Sequence, residues 1–190
     1  MRVNWLIISC MLMIFFVHAG DITKPDGYDY KGGEADYHKM SDCIVSNYIR
    51  SMPREIQVIG TGGSFTGEVR YVRTMFCLTA KASVTDARKI VVPEVMKLIS
   101  AYNSDRQIRP FLHDYPFTYK NAAYSLSFRD KYGNYYSDGS VALVTIHPAG
   151  IAYSKHNPAT EQLEEILAET WEEALEALNG QTDCVNACPL

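Results

Sequence analysis

Residues 121–155, Asn121-Ala-Ala-Tyr-Ser-Leu-Ser-Phe-Arg-Asp-Lys-Tyr-Gly-Asn-Tyr-Tyr-Ser-Asp-Gly-Ser-Val-Ala-Leu-Val-Thr-Ile-His-Pro-Ala-Gly-Ile-Ala-Tyr-Ser-Lys155, decide the fold. Ala122, Tyr124, Leu126 and Phe128 alternate with Ala123, Ser125, Ser127 and Arg129, which is the period-two signature of a half-buried strand. Lys131-Tyr132-Gly133-Asn134 supplies turn chemistry, and Val141 to His147 is a second, denser apolar run. Pro148-Ala149-Gly150 separates it from a third strand, Ile151 to Lys155. Short Gly and Pro connections between such runs predict antiparallel neighbours in a meander.

The segments on either side must pack against this meander. Met40, Ile44, Tyr48 and Met52 recur every fourth residue, predicting a helix that Pro53 ends. Ile56 to Ile59 reads as a short strand, followed by a Gly-rich turn or bulge at Gly60 to Gly67 and a second strand within Glu68 to Ala80. Ser83 and Asp86 form a capping-box pattern ahead of a helix whose Val91, Val95, Leu98, Ile99 and Tyr102 share a face. Pro93 should kink or divide that helix near Lys89. The apolar linker from Asn103 to Thr118 should pack over one end of the sheet.

Near the C-terminus two readings compete for Leu163 to Leu178. A single amphipathic helix fits the spacing, but Thr170-Trp171-Glu172-Glu173 is itself a capping box. We favour a strand at Leu163 to Ala168, after the Asn157-Pro158 turn, and a helix from Trp171 to Leu178. The resulting fold class is α+β: an antiparallel sheet of five or six strands with about three helices packed mainly on one face.

The 190 residues suit one core, placed at 34–180, with 20–33 as a flexible leader and 181–190 as a tail carrying Cys184 and Cys188. Residues 1–19 have the form of a cleavable signal peptide: Arg2, an apolar run from Trp5 to Val17, and Val17-His18-Ala19 before the cut. Export to the periplasm or extracellular space follows. Membrane contact is expected only through this segment, and only if it is not cleaved.

Loss of Arg2 takes the net charge from −4 to −5, and the charge is unevenly placed. Residues 20–155 carry a balance of +3 and residues 156–190 a balance of −8. No basic stripe exists, which excludes nucleic acid as a partner. In an exported chain the four remaining cysteines favour disulfides, with Cys43–Cys77 and Cys184–Cys188 as the favoured pairing; a buried, unpaired Cys77 is the competing reading.

The motifs that would signal catalysis fail in their details. Gly60-Thr61-Gly62-Gly63 lacks the third glycine of a dinucleotide fingerprint, since Phe65 stands there, and Glu68 occupies the lysine position of a phosphate loop. Thr66 breaks the serine-elbow pattern, and no histidine spacing supports a metal. No cofactor is implied.

Among thirteen tyrosines, Tyr115, Tyr119, Tyr124, Tyr135, Tyr136 and Tyr153 cluster around the meander and form a candidate binding surface. The functional expectation is an exported, non-enzymatic module that binds a protein or a small ligand. The alternative is a small exported hydrolase or thiol enzyme using His113 and Asp114 or a free cysteine.

Overall fold

The computed structural model describes residues 36–186, with side chains as far as Gly180. The expected signal peptide, the leader and Cys188 lie outside the described residues. Helix α1 (Asp36–Ser51) leads into β1 (Ile56–Ser64) and β2 (Tyr71–Thr79). Helix α2 (Val84–Ser104) follows, then β3 (Ala122–Arg129), β4 (Val141–His147), β5 (Gly150–Asn157), β6 (Gln162–Glu169) and α3 (Trp171–Asn186). The six strands form one sheet in chain order, giving an α+β fold.

One pairing departs from the expected antiparallel pattern. β2 and β3 run parallel, Val72 opposite Ala122 and Thr79 opposite Arg129, so the sheet is mixed. The cause is α2: its 21 residues stand between the two strands and carry the chain back along the sheet before it re-enters. The remaining four pairings are antiparallel.

Strand parity sets the core. Ala122, Tyr124, Leu126 and Phe128 are all buried, as the period-two pattern requires, and Val72, Phe76, Val144, Ile146, Ile151 and Tyr153 join them. Ile44, Val45 and Tyr48 of α1, Val91, Val95, Leu98 and Tyr102 of α2, and Trp171 and Ala174 of α3 belong to the same contiguous cluster. Each such large side chain contributes roughly 1.5–3 kcal/mol by leaving water. The linker after α2 closes the cluster with Ile108, Phe111, Leu112 and Phe117, and Val69 N–H donates to the Phe111 carbonyl at 2.7 Å.

Two glycine and proline readings are corrected. β1 does not stop at Ile59; it continues through Gly60 to Ser64, with a bulge between Val58 and Gly60. The bulge absorbs the irregularity, and the turn falls later, around Gly67 at φ +77°. Pro93 does not divide α2, which is continuous. Proline costs that helix one N–H, while the buried Val91, Val92, Val95 and Leu98 hold the helix on both sides of it.

Both capping boxes form. Ser83 Oγ accepts from Asp86 N–H at 3.2 Å, and Thr170 Oγ1 accepts from Glu173 N–H at 3.2 Å. Hydrogen bonds from Ser83 hold the Asp86 carboxyl below its ordinary 3.8, and those from Thr170 hold Glu173 below 4.5. A depressed carboxyl stabilises the fold above its unfolded-state value and loses that contribution as pH falls through its folded-state value. Thermal midpoints between pH 7 and pH 2 should therefore fall on the acid side of pH 4.5, and a midpoint rising on acidification would contradict the capping geometry.

Candidate functional site

His113 and Asp114 turn to different partners. His113 Nδ1 lies 2.8 Å from Glu68 Oε1, while its Nε2 is 4.0 Å from Asp114 Oδ1. Asp114 Oδ2 instead accepts from Asn121 Nδ2 at 2.9 Å. The hydrogen bond from His113, helped by Arg70, holds the Glu68 carboxyl below its ordinary value. Among the described residues no hydroxyl or thiol hydrogen-bonds His113.

The expected Cys43–Cys77 disulfide is absent: both thiols are free. Cys43 sits exposed on α1, next to Asn47. Cys77 is buried in β2, one residue beyond Phe76, whose ring meets Tyr48 of α1 at 6.2 Å. Successive strand residues point to opposite faces, so the face that meets α1 is the one Cys77 turns away from. Cys184 lies in α3, but neither its side chain nor Cys188 is within the described side chains.

The six candidate tyrosines do not form one surface. Tyr124 and Tyr153 are 1% and 0% exposed, because they share parity with Leu126 and Ile151. The others pair off locally. Tyr115 lies 5.2 Å from Arg109, Tyr135 lies 4.1 Å from Arg129, and Tyr136 lies 5.7 Å from Lys81. Tyr119 stacks on Trp171 at 5.1 Å with the planes 9° apart.

The structure instead draws together two arrangements that the tyrosine pattern did not reveal. The first is the β6 edge. Leu163, Ile166 and Leu167 are 39%, 39% and 37% exposed on a strand that, among the described residues, has a neighbour on one side only. A bulge at Ile166 shifts the register, so Leu167 lies across from Tyr153 and Leu163 across from His156, on opposite faces of the sheet. Carboxylates surround them. Glu164 lies 3.7 Å from Lys155, Glu161 lies 3.4 Å from His156, and Glu165 and Glu172 have no ion-pair partner among the described residues. The opposite edge, β1, carries an exposed Ile59 but no charged residue.

The second is a polar cluster where α1, α2 and β3 meet. Glu94 is only 6% exposed, and its Oε1 accepts from Lys97 Nζ at 2.6 Å. Its Oε2, the Tyr48 and Tyr124 phenol oxygens, and Thr74 Oγ1 are all buried, and the Tyr48 phenol lies within hydrogen-bonding reach of Tyr124 and Glu94. Burial, then the neighbouring Tyr124 and Glu94, push the Tyr48 phenol far above its ordinary value. Beside the cluster, Ile44, Tyr48, Lys97, Ala101 and Asp105 line a groove of about 410 Å³ between α1 and α2. One signal for this site was present in the sequence: Val91, Glu94, Val95 and Leu98 follow the i, i+3, i+4, i+7 spacing, which puts a glutamate on the apolar stripe.

No family model, curated protein or solved structure matches the chain.

Proposed function

We propose that the chain is an exported, non-enzymatic binding module that takes an extended basic segment of a partner protein along β6. The observation that carries this reading is the exposed Leu163, Ile166 and Leu167 set within a field of carboxylates on an open strand edge. An added strand satisfies the free backbone groups of the edge, and alternate side chains of the partner cover the apolar ones. The local charge selects among partners. Glu161, Glu164 and Glu165 lie on or beside the edge, which disfavours a second copy of itself and attracts Lys- and Arg-bearing segments. Export rests on the charged start, apolar run and Val17-His18-Ala19 cut of the first 19 residues.

Titration with alternating apolar–basic and apolar–acidic peptides tests the interface. The basic series should bind, with affinity falling as salt rises. Ile166→Lys should weaken it roughly tenfold or more by adding a charge and removing apolar contact, without lowering the thermal midpoint. Equal binding of acidic peptides, or indifference to Ile166→Lys, defeats the reading. The same preparation, secreted with its own first 19 residues, should have a mass beginning at Gly20.

A further inference from the structure

We propose that β1 is a self-pairing edge, along which two copies of the chain join β1 to β1, antiparallel about a two-fold axis, so that two six-stranded sheets become one. Edge strands normally carry a charge, a proline or a cover that keeps them from pairing. Among the described residues β1 has none of these. Its sequence, Ile-Gln-Val-Ile-Gly-Thr-Gly-Gly-Ser, holds no charge and no proline, and none of its residues is buried. A cleft of about 420 Å³ lies between the strand and α1. Val58 and Ile59 are 42% and 63% exposed. The other edge, β6, carries Glu164 and Glu165, which disfavour the same pairing there.

Strand parity sets the register. In the β1–β2 ladder Val58 opposes Phe76 and Thr61 opposes Thr74, and both of those are buried, so Val58 and Thr61 share the face that carries the helices. Opposed residues share a face. Among registers of that parity, the one that centres both bulges on the axis places Val58 of one copy across from Thr61 of the other, Gln57 across from Gly62 and Ile56 across from Gly63. Thr61 lines the cleft with Val45, Ile49 and Phe65, which gives the second copy's Val58 an apolar seat. Gly62 has open space where a side chain would stand, leaving room for Gln57. The charges agree with this register. Continued outward, it brings Arg54 of one copy to the Phe65 end of the other, where Asp42 lines the same cleft. Arg54 and Asp42 are both exposed and neither has an ion-pair partner among the described residues, so the two-fold axis supplies each with one. The joined sheet keeps a β6 edge free at each end, and its formation does not rest on what β6 binds.

Sedimentation of the full chain over a concentration series, with no peptide present, reads the assembly. A monomer–dimer equilibrium is expected. Val58→Lys, at an exposed position, should weaken dimerisation roughly tenfold or more by setting like charges on either side of the axis. Asp42→Arg and Arg54→Asp should each weaken it about fivefold or more, and the double exchange should restore it to within about twofold. Should Val58→Lys fail to fold, the charge exchange carries the decision. A monomer at every concentration overturns the proposal. So do assemblies that keep growing with concentration, which mark head-to-tail pairing of β1 with β6. A dimer indifferent to Val58→Lys in the folded protein, single charge changes without effect, or a double exchange no better than either single change overturns it equally.

Discussion

Replacing Arg88 with alanine is expected to remove about 3–5 kcal/mol of folding stability, because it leaves a buried carboxylate without its counter-charge. Arg88 grips Glu169 with two hydrogen bonds, Nε to Oε1 at 2.9 Å and Nη2 to Oε2 at 2.7 Å. Tyr153 Oη donates to the same Oε1 at 2.6 Å. Both charged side chains are 9% exposed, which removes the screening that makes surface pairs nearly worthless. The link spans α2, β5 and β6, so its loss loosens the end of the strand that carries the proposed interface. Urea unfolding measures the effect. Arg88→Met combined with Glu169→Leu should recover most of the stability, since neither charge remains buried. A loss below 1 kcal/mol for Arg88→Ala would show that water reaches the pair.

Gly150→Ala is expected to cost roughly 2–6 kcal/mol, through backbone strain of about 1–3 and overpacking of about 1–3. Gly150 opens β5 with φ at +142°, a conformation side chains rarely adopt. A methyl there would lie 2.2 Å from the Glu169 carbonyl oxygen and 3.2 Å from the Thr170 Cα. Both neighbours are backbone, so β6 and the start of α3 must shift together. Gly133→Ala is the control. Its φ is +87° with open space around it, which leaves strain of only about 1–2 kcal/mol. Equal losses at the two glycines, read by thermal unfolding, would remove the contact with Glu169 from the explanation.

These two positions show where sequence reading succeeds and where it stops. The strand at 162–169 was legible because Asn157-Pro158 opens a turn and Thr170-x-x-Glu173 opens a helix, leaving an eight-residue apolar-and-acidic run between two local signals. That its last residue, Glu169, would meet Arg88, 81 positions earlier, was not legible. The Gly60–Gly63 segment misled for a related reason: glycine is a turn former by local preference, but β2 supplies a hydrogen-bonding partner that draws it into a strand. The Cys43–Cys77 pairing rested on an even count, which carries no information about which way each side chain points.

By itself the sequence determined the local features: the capped helices, the strand spans of the meander, and the parity that puts Leu126 and Phe128 inside. These depend on periodicity and on contacts within a few residues. Only the tertiary structure decided that β2 and β3 run parallel, that β6 is an edge of the sheet among the described residues, and that Glu94, Tyr48 and Tyr124 lie together in the interior. Each of these is a relation between elements far apart in the chain, and such relations are set by how whole helices and strands bury their apolar faces together.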